Sequence, residues 1–104
     1  MLLALSDERY MVRATAVEML GKTNDPGAVR PVVTMLIDKS PDVRRAAATA
    51  LGILRDRRAV EPLVAALKDE APIVRESAVK SLRNITGQDF GEDQAKWREW
   101  REQN

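Results

Sequence analysis

An internal repeat with a period of 31 residues constrains the fold of this chain more than any other feature of its sequence. When the sequence is shifted by 31, residues 28–54 and 59–85 agree at 11 of 27 positions. Unrelated segments would agree at about one or two. Residues 5–23 match 36–54 in the same register, so a partial copy precedes the two fuller ones. A unit of this length covers its apolar face only against its neighbours, so the repeat predicts a stacked solenoid.

Helix-end signals divide each copy into two helices. Asp25-Pro26 has the residue types of a cap and a first helical residue, and Asp56 takes the cap role one repeat later. Ser40-Pro41 opens a second helix, and Ala71-Pro72 opens its counterpart. Gly21 is a candidate for the residue that follows the end of an earlier second helix. Each copy is therefore predicted to be a helical hairpin.

Apolar residues recur at helical spacing in both predicted helices, which indicates one buried stripe on each. The expected fold class is all-α, a right-handed α-solenoid (α-α superhelix) of about two and a half units. We divide the chain into a partial repeat at 1–24, repeats at 25–55 and 56–87, and a C-terminal cap helix within 88–104. The stripes of the second helices are Val43, Ala47, Ala50, Leu51 and Leu54, then Val74, Ala78, Leu82 and Ile85. Those of the first helices are Val29, Val32, Val33 and Leu36, then Val60, Leu63, Val64 and Leu67.

The repeated pattern Ala-Val-x-Pro-Leu/Val, Leu-x-Asp, Pro-x-Val-Arg and Ala-Leu-Gly resembles HEAT-like repeats of the bilin-lyase type over nearly the whole chain. The resemblance implies an architecture shared by bilin lyases, deoxyhypusine hydroxylases, alkylpurine DNA glycosylases and many scaffolds. It leaves three hypotheses for function. We favour a scaffold that binds another protein, over a bilin-lyase-like or enzyme-accessory module and over a nucleic-acid-binding module.

Composition argues against catalysis. The chain has no Cys and no His, which removes the usual thiolate nucleophile, the commonest metal ligand and the commonest general base. The deoxyhypusine hydroxylases carry His-Glu metal motifs, so the resemblance does not extend to their activity. No acidic pair lies on an apolar stripe that would perturb its pKa. We expect no enzyme activity, no catalytic residue, no cofactor and no metal site.

Charge and hydropathy bear on the partners. The net charge of +1 gives no global reason to expect nucleic acid. Arg55, Arg57 and Arg58 form a local basic cluster, but Asp56 interrupts it, so we interpret it as a solvated loop. The apolar run at residues 1–5 is too short for a signal peptide or a membrane span. We expect no membrane partner, and we favour a cytoplasmic location.

An acidic and a basic residue recur six positions apart in every copy. Because Arg can hold a carboxylate with two hydrogen bonds, we predict a structural ladder in which Arg13 reaches Asp38 and Arg44 reaches Asp69. The alternative is that the arginines form a phosphate-binding row. The ladder residues are Asp7, Asp38, Asp69, Arg13, Arg44 and Arg75.

The second helices line the concave face in this class of repeat. Their positions outside the apolar stripe differ between copies, as expected of a surface that packing does not constrain. The candidate partner-binding residues are Met11, Ala14, Glu18, Arg45, Thr49, Glu76 and Lys80.

Both ends depart from the repeat. We predict that Phe90, Trp97 and Trp100 cover the last unit, because an open solenoid end exposes apolar surface. The alternative is a partner-binding hot spot at the two Trp residues. The chain starts inside a repeat, which suggests an array with further repeats upstream. Otherwise the exposed edge of Val12, Ala16 and Leu20 pairs with another chain, giving possible self-association.

Overall fold

The computed structural model describes residues 2–104, and all of their regular elements are helices, with no strand in that range. The predicted all-α class is confirmed. Short 3-10 helices span Leu2–Ser6, Pro26–Ala28, Met35–Ile37 and Arg57–Ala59. The α-helices are α1 (Tyr10–Gly21), α2 (Val29–Thr34), α3 (Pro41–Leu54), α4 (Val60–Ala66), α5 (Pro72–Thr86) and α6 (Gln94–Gln103).

The first helix of each unit is less regular than the sequence predicted. In place of one continuous helix after Asp25 there are a 3-10 turn, the six residues of α2 and a second 3-10 turn. Pro31 has no N–H to donate to the carbonyl of Gly27, so one α-type hydrogen bond is missing near the start of this helix. The N–H of Ala28 instead donates to the carbonyl of Asp25 at 2.9 Å. Pro62 lies one repeat further on, in α4, which also begins after a 3-10 turn.

Aspartates organise the starts of both helices. The Asp25 carboxylate accepts the Gly27 N–H at 2.8 Å, as the sequence predicted for a helix cap. The second helices begin differently, because Asp38 reaches forward to the Ser40 N–H at 2.8 Å and Asp69 to the Ala71 N–H at 2.9 Å. These two aspartates therefore shape the tight turn inside each hairpin.

The helices stack in the order of the repeat. The second helices α1, α3 and α5 lie side by side, with α3 between the other two. The first helices α2 and α4 pack on α3 and α5, so two layers enclose the core. The residues Val43, Leu51, Val74 and Leu82 are fully buried in it. The molecule measures 38 × 28 × 16 Å, as expected for a short solenoid.

Two glycines allow the second helices to approach closely. A Cβ added to Gly21 would lie 2.7 Å from the Ala50 Cβ, and one added to Gly52 would lie 2.8 Å from the Ser81 Cβ. The expectation that Gly21 follows the end of its helix is wrong, because it is the last residue of α1 and is buried. Its role is contact between neighbouring units. The left-handed residue that ends a second helix is instead Arg55 after α3 and Gly87 after α5.

The C-terminal helix covers part of the last unit. Helix α6 packs on α4, where Trp97 is fully buried and its indole N–H donates to the Gly91 carbonyl at 2.8 Å. Phe90 meets the Trp97 ring edge to face, with ring centroids 4.8 Å apart. Trp100 stays half-exposed beneath the guanidinium of Arg57, which lies 5.1 Å from its ring centroid. Trp97 therefore anchors α6 on α4, while Trp100 lies at the edge of this contact.

The N-terminal edge differs from the expected one. Ala16 and Leu20, predicted to be exposed, are 3% and 8% exposed. Leu20 belongs to the core, as its equivalent Leu51 does, because α1 packs on α2 and α3. Ala16 lies in the wall of an apolar depression beside α1. Val12 is half-buried beside the 3-10 turn Leu2–Ser6, which packs on α1.

Candidate functional site

Acidic and basic residues that recur in each repeat form ion pairs between consecutive units. Arg13 donates from Nε to Asp38 Oδ1 at 2.9 Å and from Nη2 to Oδ2 at 3.1 Å. Arg44 makes the same two-pronged contact with Asp69, at 2.9 and 3.3 Å. These four side chains are between 6% and 11% exposed. The structure therefore joins the residues 25 positions apart that the sequence paired.

Each of these arginines also holds the turn of its own unit. The Nη1 of Arg13 donates to the carbonyls of Asp7 and Glu8 at 2.7 and 2.9 Å, and that of Arg44 donates to the Asp38 carbonyl at 2.8 Å. Burial raises the pKa of Asp38, but hydrogen bonds from Arg13 and from the Ser40 N–H outweigh it, so the net shift is downward. With both edges of the guanidinium engaged, the pattern supports the structural ladder over a phosphate-binding row.

The outermost members of the ladder have local partners. Asp7 has no preceding Arg among the described residues and binds Arg9 instead, at 3.0 Å from Nε and 2.9 Å from the backbone N–H. The side-chain hydrogen bond from Arg9 lowers the Asp7 pKa to about 2. At the other end Arg75 donates to the Asp69 carbonyl at 2.7 Å, and its Nε lies 3.6 Å from Glu92. The regular pairing is thus confined to contacts between units.

The exposed sides of α1, α3 and α5 form one surface with two adjoining grooves, which we call the second-helix surface. Arg45, Thr49 and Ile53 lie between the grooves and line both of them. The groove between α1 and α3 is completed by Glu18, Lys22, Ala46 and Ala50. The groove between α3 and α5 is completed by Ile73, Glu76, Ser77, Lys80, Ser81 and Asn84.

Most of the sequence-predicted contact residues come together here. Glu18, Arg45, Thr49, Glu76 and Lys80 line the grooves. The other two do not. Ala14 is half-buried and packs against the core, and Met11 lines a separate depression beside Ala4 and Thr15. These two residues lie outside the two grooves, and their role as contact residues stays a prediction.

Sequence reasoning missed two isoleucines of this surface. Ile53 and Ile73 are each 47% exposed on the groove walls. A signal was present, because the residues equivalent to Ile53 in the other copies are Lys22 and Asn84. An apolar residue that replaces polar ones on an exposed helix face is typical of contact with a partner. Comparison of the copies position by position would have found it.

A model of the protein family described as HEAT repeats matches residues 1–83. The chain belongs to the HEAT-repeat family. The match covers every unit of the stack up to α5, which agrees with the fold class and with the observed order of the helices. No curated protein gives a significant match to the chain.

Two of the three arginines in the basic cluster of this HEAT-repeat protein, Arg57 and Arg58, have partners within the chain. Arg58 donates to both carboxylate oxygens of Asp56, at 3.0 and 2.8 Å, and to the Pro26 carbonyl of the preceding unit at 3.0 Å. Arg57 stacks on Trp100 and donates to the Asn104 carbonyl at 3.3 Å. These contacts connect the loops of successive HEAT units and agree with the interpretation of the cluster as a loop element.

Metal-binding groups and membrane spans are both absent from the part of the chain that the structure describes. No group of three or more His, Cys, Asp or Glu side chains there could hold a metal ion. None of the described HEAT helices has the length and apolar character needed to cross a membrane.

Proposed function

We propose that this HEAT-repeat protein binds a segment of another protein on its second-helix surface and carries no catalytic activity of its own. HEAT repeats are generally protein-interaction scaffolds. The observation that supports this assignment for the present chain is the pair of adjoining grooves that share Arg45, Thr49 and Ile53. Two grooves that meet over one helix provide a continuous contact path across three units.

The chemistry of the surface indicates the kind of segment that fits. Ile53 and Ile73 supply apolar contacts, and Arg45, Glu76 and Lys80 surround them with charges of both signs. Apolar anchors within a polar rim are the usual composition of a protein interface. The partner segment is expected to present apolar side chains to the two isoleucines and a mixed set of charges to the rim.

The surface can be tested first by site-specific crosslinking. A photo-reactive amino acid is placed at Thr49 and, in a matched control, at Thr34, which is an exposed Thr on α2. In cells that produce the protein, Thr49 should link to a defined protein that Thr34 does not capture. That partner is then purified, and its affinity for the unmodified chain is measured by calorimetry.

A second pair of variants tests the mode of binding. Ile53→Lys places a charge between the grooves, whereas Ile37→Lys changes an Ile that is 88% exposed outside them. We expect Ile53→Lys to weaken the purified complex at least about tenfold, as loss of a central apolar contact does. Ile37→Lys should leave the affinity within about twofold. Equal effects of the two variants, or equal capture from Thr49 and Thr34, would refute the proposed surface.

A further inference from the structure

The exposed apolar side chains of this protein are concentrated at its N-terminal end. Among the residues whose burial is described, seven large hydrophobic side chains are exposed, and four of them are Leu3, Tyr10, Met11 and Met19. Beside α1 lies an apolar depression, which we call the end face. Adjoining exposed apolar side chains indicate a contact surface, so the end face is a candidate site for an occupant. Its lining residues are Ala4, Met11, Val12, Thr15, Ala16 and Met19.

The repeat register shows what the end face corresponds to. Thr15 and Met19 are equivalent to Ala46 and Ala50, which are 2% exposed and face α1 across the groove between α1 and α3. The end face is therefore the side of a second helix on which another helix packs. A helix is accordingly the shape of occupant that it fits.

Two substitutions and one local ion pair disfavour the head-to-tail stacking of further units. Met19 stands where Ala50 and Ser81 occur, and Arg83 stands where Gly21 and Gly52 occur. At the contacts between units a Gly meets Ala or Ser so closely that even an added Cβ would lie 2.8 Å or less from its neighbour. Head-to-tail stacking of two chains would bring Arg83 of one against Met19 of the other. In addition, Arg9 already occupies the Asp7 carboxylate that the Arg of a preceding unit would bind.

We propose that the occupant is α1 of a second copy, packed antiparallel across a two-fold axis at Thr15. Such an axis relates positions whose numbers add up to 30, so Met11 faces Met19 of the second copy. Small Thr15 side chains then meet at the centre, where helices must approach most closely. Glu8 and Lys22 are both exposed, stand seven positions before and after Thr15, and carry opposite charges, so antiparallel pairing brings unlike charges to the same end of the contact. A two-fold interface closes on itself and satisfies both end faces at once.

The end face is a different surface from the one proposed for partner binding, and only Lys22, at the rim of the dimer contact, also lines a groove of the second-helix surface. The end face and the second-helix surface share none of their lining residues. One helix pair buries less than the roughly 800 Å² per partner of a standard interface, so the dimer is expected to exchange rapidly. The two proposals can fail separately.

Single cysteines provide a direct test, because the chain has none of its own. Thr15→Cys places a thiol on the predicted axis, and Thr49→Cys is the control at another exposed Thr of a second helix. Under mild oxidation we expect the Thr15→Cys chain to form its disulfide dimer at least about tenfold faster, since thiols held at the axis meet within disulfide range. Circular dichroism of the reduced variants verifies that both are folded.

A mixing experiment tests the antiparallel register. Met11→Cys and Met19→Cys chains, mixed in equal amounts, should form mixed disulfides faster than either variant links to itself. Sedimentation equilibrium of the unmodified chain should show a mass that rises towards the dimer with concentration, and Met19→Lys should suppress that rise. Three results would each overturn the proposal: equal rates for Thr15→Cys and Thr49→Cys, preferential self-linking of Met11→Cys, or a monomer mass at every concentration.

Discussion

Removing one carboxylate from the ladder should destabilise the protein strongly, and Asp69→Ala is the variant that isolates this effect. The Asp69 carboxylate accepts two hydrogen bonds from Arg44, at 2.9 and 3.3 Å, and one from the Ala71 N–H at 2.9 Å. All three disappear in Asp69→Ala. The guanidinium of Arg44, whose side chain is 11% exposed, would then be buried without its carboxylate.

The magnitude follows from this geometry. Breaking a buried ion pair by removing one partner costs about 3–5 kcal/mol, because the remaining charge has lost its compensation. Three features place the expected loss near the lower end, at about 3 kcal/mol: the slight exposure of the pair, the remaining bond from Arg44 to the Asp38 carbonyl, and the Glu70 carboxylate 3.9 Å from Arg44 Nη2. A domain of this size is stable by about 5–15 kcal/mol, so a large part of the total is removed. The corresponding decrease in Tm is about 12–24 °C.

Urea denaturation followed by circular dichroism measures the change, and Asp7→Ala is the matched control. Asp7 is the same position one repeat earlier than Asp38, but its partner Arg9 has a side chain that is 76% exposed. A pair of this kind contributes little to stability, so the melting curve of Asp7→Ala should stay close to the parent. Replacing both partners, as in Arg44→Met with Asp69→Leu, should recover part of the loss. If Asp69→Ala and Asp7→Ala shift the transition equally, the ladder does not stabilise the stack as argued here.

Three further outcomes are expected. Gly52→Ala should lower the free energy of unfolding, measured by urea denaturation, by about 1–3 kcal/mol, because the added Cβ would lie 2.8 Å from the Ser81 Cβ and must push α3 away from α5. The control Thr49→Ala changes an exposed residue of the same helix and should alter the free energy of unfolding by less than about 0.5 kcal/mol. Trp97→Ala should lower the free energy of unfolding by about 3–5 kcal/mol and make α6 sensitive to protease, because the Trp97 side chain is fully buried. Trp100 is only half-buried, so Trp100→Ala should lower the free energy of unfolding by only about 1 kcal/mol. Thermal melts across pH should show a plateau between pH 5 and 8, because the chain has no His, and a decrease below about pH 4. The sign follows from folded-state pKa values that lie below the unfolded ones at two carboxylates: at Asp38, where burial is outweighed by the Arg13 bond, and at Asp56, through the Arg58 bond. The stability from these carboxylates is therefore lost as the pH falls through their lowered pKa values, and a melting temperature that rises on acidification would contradict this assignment.

The order of the helices and the ladder partners were predictable from the repeat. Once the units stack in sequence, the turn of one unit lies beside the second helix of the unit before it. Asp38 is then within reach of Arg13, although 25 residues separate them. The repeat also identified Val43 and Val74 as equivalent core positions, and both are fully buried. Periodicity is informative here because every interior contact occurs more than once.

What the repeat could not supply was the geometry of single positions. Gly21 and Gly52 resemble helix-ending residues in sequence, but their role depends on how close the neighbouring helix comes, which is set by Ala50 and Ser81. That Leu20 of α1 faces the core depends likewise on the packing of α1 against α2 and α3. Ile53 stood apart from its polar equivalents in sequence, but only the fold shows that it lies between two grooves.

The departures from the repeat have a common physical consequence. A stack of identical units has complementary ends, so copies of it would join head to tail and form an open filament. Here the positions that are Gly and Ala or Ser between units become Arg83 and Met19 on the two outer sides of the stack. The carboxylate of Asp7 is likewise bound by Arg9 within its own unit. Large side chains and a locally satisfied charge therefore oppose filament growth, while the second-helix surface, which we propose as the contact site, runs along the stack.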